Sequence, residues 1–444
     1  MRPSLIYPLV RRVLRATVRR HLAREFREQL RMRGHDPQES WRHGFEQSIA
    51  FANRMSSESP GYRELLRQDR IAVPVTAGSW STLPLLTKDA FRRDTESWYG
   101  KLAHKEHVTW TVTSGSTGVP FEFPLSKASR TAEIAGNELN LLAVGWNPLM
   151  RQATIKVEPT PARGARAIYR MIMGNREIGF PAADFRAART LEMVERIRRE
   201  RISYLRGYSR TISLFAREIL RQELFCPITL VTTFGEALPA EDAEVIERAF
   251  GGKVYRDYGG SEAMHIGFEC REQRGYHVDL ARFFIEILRE NRPARDGETG
   301  DIVVTAFRNA AMPLVRYRIG DIGRWATGDD PCLCGNRFPI LAEVVGRSAD
   351  EVVTTSGHVV DVHIVSVVFK YAHEHVAEYK VIQKERDRFD VLWVARHDRA
   401  VDHLPALQQE LVAKAGGQVS FDWHQVAEIS SERSGKRRIL VPLK

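Results

Sequence analysis

The sequence predicts an α/β protein with a large N-terminal domain, built on doubly wound sheets, and a small C-terminal α+β domain. Between about residues 150 and 262, helical and strand patterns alternate, which is typical of parallel βαβ units. Residues from about 280 to 345 are rich in strand patterns, and after Gly346 the pattern changes to a compact mixture of strands and a helix. A chain of 444 residues also exceeds the usual size of a single core. We therefore predict a large domain over 1–345 and a small domain over 346–444.

The spacing of apolar residues predicts the individual elements. The first hundred residues or so are helical in pattern, with breaks rich in Pro and Ser. Val108, Trp110 and Val112 alternate before a Gly/Ser/Thr loop, and Phe121, Phe123 and Leu125 alternate after it, which predicts a hairpin. The other predicted helices are Arg63–Asp69, Lys88–Trp98, Ala188–Glu200, Thr211–Glu223, Pro239–Phe250 and His403–Ala415. The other predicted strands are Ile202–Tyr208, Ile228–Thr233, Lys253–Tyr258, Phe283–Leu288, Asp301–Ala306, Val315–Arg318, Val376–Gln383, Arg388–Arg396 and Gln418–Ile429.

The composition is that of an ordinary globular protein with a basic excess. Hydrophobic residues make up 43% and charged residues 27%, and the formal net charge is +10. This charge suits an anionic partner such as ATP, coenzyme A, an acidic carrier protein, nucleic acid or a membrane surface. No zinc finger, RNP or helix-turn-helix pattern is present, so we expect no nucleic acid partner. No run of about 18 apolar residues predicts a membrane-spanning helix.

The basic excess is concentrated in a helical leader over residues 1–58. Many arginines lie between Arg2 and Arg33, and the first acidic residue is Glu25. Apolar residues recur at helical spacing between Leu5 and Val18, which indicates a basic amphipathic helix. Peripheral contact with an anionic membrane or an acidic partner is one hypothesis. We favour the other, a helix that packs on the large domain with its arginine face solvated. An organellar transit peptide has a similar composition.

The loop Ser114–Gly118 suits a polyphosphate ligand. Its two glycines release the backbone from side-chain constraints, and its hydroxyl and N–H groups can point at a ligand. It is not a Walker A loop, because no Gly-Lys-Ser/Thr follows. A loop of this composition is also common as a plain hairpin turn, so the loop by itself does not decide between the two.

Further motifs along the chain favour the phosphate-binding interpretation of this loop over the plain hairpin turn. The motifs in chain order are Ser114–Gly118, Asp257–Glu262, Tyr317–Asp321, Gly346–Arg347 and Ser434–Lys436. Together they resemble the core motifs of the adenylate-forming superfamily, which comprises acyl- and aryl-CoA ligases and related enzymes. The closest resemblance is to the phenylacetate-CoA ligase branch, with its CapK and coenzyme F390 synthetase-like members. Ser59–Arg63 and Leu83–Lys88 also look like early motifs of that branch, and the resemblance runs from about residue 59 to the end.

The resemblance implies a binding site for ATP and Mg²⁺. The implied nucleotide-binding residues are Ser114, Gly115, Ser116, Thr117, Gly118, Gly235, Glu236, Ala237, Asp257, Tyr258, Gly259, Ser261 and Asp321. Tyr258 offers an apolar face to adenine, Asp321 two acceptor oxygens to the ribose hydroxyls, and Glu262 an oxygen to Mg²⁺. As alternatives, Glu236 caps the next helix in an ordinary βα loop, and Asp321 belongs to an arginine–aspartate surface pair.

Adenylate formation also requires a cation, because a carboxylate must attack the negatively charged α-phosphate. By resemblance Lys436 supplies this cation from the C-terminal domain, Glu262 acts beside it, and Arg347 supports the nucleotide at the domain junction. The chain departs from the family pattern at two places. Many relatives have a lysine where this chain has Phe121, and an Asp-Asp pair where it has Ser348–Asp350.

Three cysteines and one histidine have the spacing of a metal site. Cys332 and Cys334 lie in a turn flanked by Pro and Gly, and Cys270 and His277 precede them as Cys-x6-His. Three sulfurs and one imidazole form a closed ligand set for structural zinc, which some phenylacetate-CoA ligase-like proteins carry. Reduced thiols without a metal are the alternative, because Cys-x-Cys is less usual than Cys-x2-Cys; we favour zinc. Cys226 is predicted to be a buried, inert thiol.

The resemblance implies an acid–thiol ligase that forms an acyl-AMP and passes the acyl group to coenzyme A or to the phosphopantetheine of an acyl carrier protein. A ligase that makes an AMP conjugate, an amide or an ester is an alternative, as F390 synthetase-like members do. A non-catalytic protein that binds nucleotide or nucleic acid is another. Ala263–Gly267, Tyr208 and Trp146 are expected near the acid. Contact of His265 with a polar substituent of the acid is one hypothesis, and an incidental loop histidine without an assigned partner is the favoured one. Reduced cysteines and ATP use predict a cytoplasmic protein.

Overall fold

The computed structural model describes most of the chain. The described residues are 22–92, 94–105, 108–112, 122–147, 150–156, 177–181, 187–328, 331–345, 351–361, 364–365, 368–369, 372, 374–429 and 439–443. The predicted phosphate loop Ser114–Gly118 lies outside them, as do Arg347, Lys436 and the first 21 residues.

The helices begin and end at recognisable capping residues. Asp36 starts one of them by accepting hydrogen bonds from the backbone N–H groups of Gln38 and Glu39. Gly251 ends another in the left-handed conformation, at φ 72°. The helices are α1 (22–34), α2 (Pro37–Glu58), α3 (Pro60–Gln68), α4 (Lys88–Arg92), α5 (Lys101–Lys105), α6 (Lys127–Ala143), α7 (Ala187–Arg199), α8 (Ser209–Arg221), α9 (Ala240–Phe250) and α10 (Leu404–Lys414). Short 3₁₀ helices span Trp80–Thr82, Thr95–Trp98 and Asp398–His403.

The sequence predicted one helix over Lys88–Trp98, and the structure divides it. The segment contains α4 and the 3₁₀ helix Thr95–Trp98, with Asp94 between them. The Asp94 carboxylate accepts a hydrogen bond from the backbone N–H of Ser97, at 3.4 Å. Such local bonds compete with a continuous helix, and the prediction missed this competition.

Twelve of the described strands form one mixed sheet, in the order β11-β10-β12-β13-β14-β9-β8-β7-β6-β5-β3-β4. The strands of the large domain are β1 (Thr109–Val112), β2 (Glu122–Leu125), β3 (Gln152–Lys156), β4 (Glu177–Pro181), β5 (Tyr204–Tyr208), β6 (Leu230–Phe234), β7 (Lys253–Tyr258), β8 (Gly267–Glu269), β9 (Tyr276–Val278), β10 (Phe284–Arg289), β11 (Arg292–Pro293), β12 (Gly300–Thr305), β13 (Tyr317–Trp325) and β14 (Ile340–Val345). The predicted hairpin is confirmed, because β1 and β2 pair antiparallel.

The parallel half of the sheet confirms the predicted βαβ units. Strands β4, β3, β5, β6 and β7 pair in parallel, and α8 and α9 connect β5 to β6 and β6 to β7. Helices α7, α8 and α9 pack on one face through residues such as Val194, Phe215 and Ile246. The other face packs against the end of α6 through a cluster that contains Leu141 and Tyr204. Helices thus cover both faces, as the doubly wound prediction requires.

The other half of the sheet is antiparallel and carries the first helices of the chain on its face. Phe51 and Met55 of α2 pack in one core with Phe284 and Ile302 of the sheet. Arg316, which directly precedes β13, is buried and binds the Glu286 carboxylate through two nitrogens, at 2.9 and 3.0 Å. The antiparallel strands therefore share one hydrophobic core with the N-terminal helices.

Helix α1 contacts α6 through polar side chains. Arg33 is buried and donates hydrogen bonds to the Asn140 side chain, at 2.7 Å, and to the Gly136 carbonyl, at 3.2 Å. Gln29 donates to the carbonyl of Ala132 at 2.8 Å. Helix α1 therefore packs on the large domain, whereas the amphipathic helix predicted between Leu5 and Val18 lies outside the described residues. The helices that the structure describes include none with the length and apolarity to cross a membrane.

The C-terminal part has its own α+β core. Its strands are β15 (Glu351–Val353), β16 (Val359–Asp361), β17 (Val376–Glu385), β18 (Arg388–Ala395), β19 (Ser420–Gln425) and β20 (Leu440–Val441). Four of them form a sheet in the order β19-β18-β17-β20. Val381, Phe389 and Trp393 of this sheet are buried against Leu411 of α10. This unit agrees with the predicted small domain; the predicted junction over residues 346–350 lies outside the described residues.

Candidate active site

Three neighbouring parallel strands bring the predicted nucleotide-binding loops together. In the register of the sheet Tyr208 lies opposite Phe234, and Phe234 lies opposite Asp257, so β5, β6 and β7 end side by side. The loop Gly235–Ala237 follows β6, and the loop Gly259–Glu262 follows β7. Ligands of such sheets bind beyond the carboxyl ends of the strands. These loops therefore mark the candidate site.

The loop after β6 is shaped by its glycine and its glutamate. Gly235 has φ 83°, a conformation that other residues rarely adopt. The Glu236 carboxylate accepts a hydrogen bond at 3.1 Å from the backbone N–H of Arg210, at the start of α8. The expected alternative for Glu236 was a cap on the following helix, whereas this contact is with the preceding one. A carboxylate there is favoured by the helix dipole.

Tyr258 and Asp321 contact each other across the sheet. The Tyr258 hydroxyl donates a hydrogen bond to Asp321 Oδ2 at 3.0 Å, although 63 positions separate the two residues in the chain. Tyr258 is buried at the end of β7, and Asp321 is half-buried on β13. Two residues that sequence motifs assigned to adenine and to ribose are therefore neighbours.

Glu262 is buried in an ion pair with Lys88. Lys88 Nζ lies 2.9 Å from Glu262 Oε1, and the two side chains are 18% and 8% exposed. The Tyr317 hydroxyl donates to the same oxygen at 3.3 Å. Burial by itself would raise the pKa of the Glu262 carboxyl, but the charge and hydrogen bond of Lys88, together with hydrogen bonds from the backbone and Tyr317, hold this pKa below its usual value. The carboxylate therefore stays ionised at neutral pH.

Lys88 is a functional candidate that the sequence analysis did not assign. It stood there within the motif Leu83–Lys88, without a role of its own. A cation beside Glu262 matters because Phe121 occupies the position where many relatives have a lysine. The only feature of the sequence that pointed to Lys88 was its position in a family-like motif. Its contact with Glu262 depends on the fold.

The loop after β7 folds back tightly on itself. A Cβ atom at Gly259 would lie 2.6 Å from the backbone nitrogen of His265 and 2.9 Å from the carbonyl oxygen of Ala263. Gly260 donates a hydrogen bond to the same carbonyl at 3.1 Å, and Ser261 is half-buried within the turn. The turn leaves no room for a side chain at Gly259, so packing requires glycine at this position.

Asp257 faces away from Tyr258, as consecutive residues of a strand do. Its Oδ2 lies 2.5 Å from Nδ1 of His265. The sequence analysis placed Asp257 among the nucleotide-binding residues and left His265 without a partner. In the structure the two side chains contact each other on the opposite face of β7 from Asp321.

The predicted metal ligands lie together. The four ligand atoms of Cys270, His277, Cys332 and Cys334 are all within 4.8 Å of one another. The sulfurs of Cys270 and Cys332 are 3.6 Å apart, and the Cys334 sulfur is 3.4 Å from His277 Nε2. Ligands at about 2.3 Å (sulfur) and 2.0 Å (nitrogen) from a tetrahedral ion lie about 3.5–3.8 Å apart. These distances fit a zinc-type site and are too long for a disulfide.

The surroundings of this cluster also suit a metal. His277 Nδ1 lies 2.9 Å from the carbonyl oxygen of Phe338, so Nδ1–H donates there and Nε2 remains available as a ligand. Hydrogen bonding by the Cys270 thiol lowers the pKa of Cys334 to about 3, with His277 contributing in the same direction. A thiolate is the form that binds zinc.

Comparisons with known proteins agree with this geometry. A family profile for the CapK C-terminal domain matches residues 352–442. Protein CapK of Staphylococcus aureus is 22% identical over 398 residues, which cover 88% of this chain and 86% of that protein. A phenylacetate-coenzyme A ligase of Thermus thermophilus is 25% identical over 219 residues, 47% of this chain and 48% of the ligase. A crystal structure of 2-hydroxyisobutyryl-CoA ligase with 2-HIB-AMP and CoA has a TM-score of 0.63 and 15% identity, covering 93% of this chain and 92% of that one.

The fold is therefore that of adenylate-forming enzymes, with a large α/β domain followed by a small α+β domain. The resemblance that the sequence motifs predicted, to the phenylacetate-CoA ligase and CapK-like branch, is confirmed by these relatives and by the CapK C-terminal domain profile.

Proposed function

We propose that the protein activates a carboxylic acid as an acyl-AMP at the expense of ATP, and then transfers the acyl group to the thiol of coenzyme A. The observation that carries this proposal is the hydrogen bond between Tyr258 and Asp321, because it brings the expected adenine and ribose contacts together at the carboxyl end of β7. The similarity to CoA ligases over most of the chain supports it.

In this proposal the nucleotide lies over the loops after β6 and β7. The ring of Tyr258 stacks on adenine, and Asp321 accepts hydrogen bonds from both ribose hydroxyls. Gly235–Ala237 would contact the edge of the base. The predicted phosphate loop Ser114–Gly118 would cradle the terminal phosphates, since the described strands β1 and β2 hold its two ends next to each other.

In this proposal Glu262 supplies a negative charge and Lys88 a positive charge at the reacting centre. Glu262 offers a carboxylate oxygen to Mg²⁺, which prefers such ligands and would neutralise the leaving pyrophosphate. Lys88 is 2.9 Å from that carboxylate and offers a cation to the phosphates, in place of the loop lysine that this chain lacks. Because the pair is buried, its charges are only weakly screened by solvent.

The C-terminal domain would complete the site. Lys436 bridges the carboxylate and the α-phosphate in the transition state, and Arg347 supports the nucleotide at the domain junction. By family analogy the small domain rotates between adenylation and thioester formation. We also propose that Cys270, His277, Cys332 and Cys334 hold a structural zinc ion, which ties the β8–β9 hairpin to the loop before β14.

Carboxylate-dependent exchange of labelled pyrophosphate into ATP tests the proposal. We expect exchange with one class of acid and, once coenzyme A is added, a thioester identified by its mass. An amide, an ester or a stable AMP conjugate would instead reveal a different acceptor. Absence of exchange across aryl, fatty and amino acids, in a protein that still binds ATP, would refute adenylation.

The role of Lys436 is tested with a matched lysine in the same domain. Lys436→Ala is expected to lower the rate of exchange at least 100-fold while ATP affinity changes little, because the cation acts in the transition state. Lys384, which is exposed and pairs loosely with Asp390 at 3.6 Å, serves as the control. Equal rates for the Lys436→Ala and Lys384→Ala variants would remove Lys436 from the mechanism.

A further inference from the structure

A buried cluster of charged side chains lies beside the candidate active site. It consists of Asp257, His265 and Glu133, which we call the polar cluster. His265 Nδ1 lies 2.5 Å from Asp257 Oδ2, and His265 Nε2 lies 3.9 Å from Glu133 Oε1. The three side chains are only 8–10% exposed. Arg130, one turn earlier on α6, contacts the Glu133 carboxylate.

One oxygen of this cluster lacks a hydrogen-bond partner. Asp257 Oδ1 is buried and accepts no hydrogen bond from any residue in the described part of the chain. Leaving a buried carboxylate oxygen unsatisfied is costly, and native structures rarely tolerate it without a functional reason. Other buried carboxylate oxygens of the described residues also lack a partner, but this one lies at the end of β7, beside the candidate active site, where a ligand can supply the donor.

The backbone around His265 is held in place against its preference. His265 has φ 54°, in the left-handed region that few non-glycine residues adopt. Arg282 donates hydrogen bonds to the carbonyls of Met264, at 3.0 Å, and of His265, and it is itself fixed by the buried Asp279 at 2.7 Å. Residues kept in such conformations by their surroundings cluster at functional sites. The imidazole is thus positioned by the fold.

The position of the polar cluster relative to the expected nucleotide-binding residues indicates which part of the substrate acid it can contact. Asp257 and Tyr258 are consecutive at the end of β7, so their side chains lie on opposite faces of the strand. The Tyr258 side carries Asp321 and would hold the nucleotide. Glu133 lies on α6, the helix that follows the predicted phosphate loop and β2. Because ligands of such sheets bind beyond the carboxyl ends of the strands, an acid that meets the nucleotide at the end of β7 can extend its remaining part towards α6 and the polar cluster.

We propose that the polar cluster recognises the substrate acid, and that this acid carries a hydrogen-bond donor, an amine or a hydroxyl, on the part distant from its carboxylate. The inference rests on the proposed function and specifies its substrate class. Asp257 Oδ1 accepts the donor, and His265 and Glu133 surround it with further polar atoms. A plain aryl or fatty acid would bury its apolar end against an unpaired carboxylate, which is unfavourable.

Matched acids test this proposal. Pyrophosphate exchange is measured with 4-aminophenylacetate, 4-hydroxyphenylacetate and 4-methylphenylacetate, and with 6-aminohexanoate, 6-hydroxyhexanoate and heptanoate. We expect kcat/KM for an amino or hydroxy acid to exceed that of its methyl analogue about 10- to 100-fold in at least one series. The preferred member of that series distinguishes an amine from a hydroxyl. Equal kcat/KM values within each series would overturn the proposal.

Variants connect the preference to the cluster. Asp257→Leu is expected to abolish or reverse the preference. Asp257→Asn, which keeps the shape, is expected to reduce the ratio of kcat/KM between an amino or hydroxy acid and its methyl analogue about tenfold. The control is Asp390→Asn in the C-terminal domain, which removes the charge from another histidine-bound aspartate, 3.4 Å from His424. An equal loss for all acids in Asp257→Asn would make Asp257 a structural residue and contradict the proposal.

The test separates this inference from the proposed function. If no acid supports exchange, adenylation itself fails, and binding of the same acids to the intact protein is then measured by calorimetry. Tighter binding of the amino or hydroxy acids, lost in Asp257→Asn, would still support the polar cluster. Equal binding across the matched acids would reject it as well.

Discussion

The buried pair of Lys88 and Glu262 gives the sharpest prediction about this protein. Lys88→Met removes the cation and leaves the Glu262 carboxylate buried, with Tyr317 as its remaining hydrogen-bond donor among those described above. Removal of one partner from a buried pair typically costs about 3–5 kcal/mol. In a domain of this size 1 kcal/mol corresponds to about 1.5 °C, so the melting temperature of the large domain should fall by roughly 4–7 °C at pH 7.

The sign of the pH dependence follows from the pKa of Glu262. With Lys88 present this pKa lies below its usual value, so the pair stabilises the protein at neutral pH, and this contribution is lost only as the pH falls through the lowered pKa. Without Lys88, burial remains and raises the pKa. The variant then gains stability when the carboxyl is protonated, so its deficit should shrink between pH 7 and pH 5.

Differential scanning calorimetry of four proteins would measure this effect. The double variant Lys88→Met/Glu262→Gln should recover most of the loss, because it no longer buries an unpaired charge. Lys253→Met is the matched control: Lys253 pairs with Glu247 at 2.7 Å but is 63% exposed, so its loss should cost less than about 1 kcal/mol. A Lys88→Met protein that melts within 1 °C of the parent, or a deficit independent of pH, would refute the buried ion pair.

Three further predictions concern the candidate sites. The purified protein should release about one zinc ion per chain to a chelator, and a metal-free parent protein would contradict the zinc site. Cys334→Ser should lose the metal and melt at a lower temperature. The control Cys226→Ser, at a buried thiol outside the cluster, should keep the metal. Tyr258→Phe removes the hydroxyl that donates to Asp321, so the affinity for ATP measured by calorimetry should fall about tenfold. An unchanged ATP affinity would count against a role of this hydrogen bond in nucleotide binding. Gly235→Ala, at φ 83°, should cost about 1–2 kcal/mol in denaturant unfolding, and a neutral result would argue against the left-handed turn.

Local patterns were sufficient to predict three of the five parallel strands, whereas β3 and β4 were not predicted individually. Strands β5, β6 and β7 are apolar runs separated by amphipathic helices, and each of these patterns depends on residues only a few positions apart. Strands β8 and β9 were missed, because three residues are too few to show a period. Their pairing with β7 and β14 joins the two halves of the sheet, and this is a tertiary event.

The candidate site was predictable as a set of motifs but not as a set of contacts. Family-like motifs selected Tyr258, Glu262 and Asp321, and cysteine spacing selected the four expected zinc ligands, whose ligand atoms the fold brings together. The sequence analysis could not identify Lys88 as the partner of Glu262, since the two lie in different motifs far apart in the chain.

The sequence by itself determined the class of the protein, the order of its elements and the residue types that its chemistry requires, because these depend on composition and short-range spacing. Only the tertiary structure decided which side chains meet. His265 is the clearest case, since in the sequence it is a loop histidine, and in the fold it lies between Asp257 and Glu133. Such contacts arise from strand register and from the packing of α6 on the sheet, and no local pattern of residues specifies either.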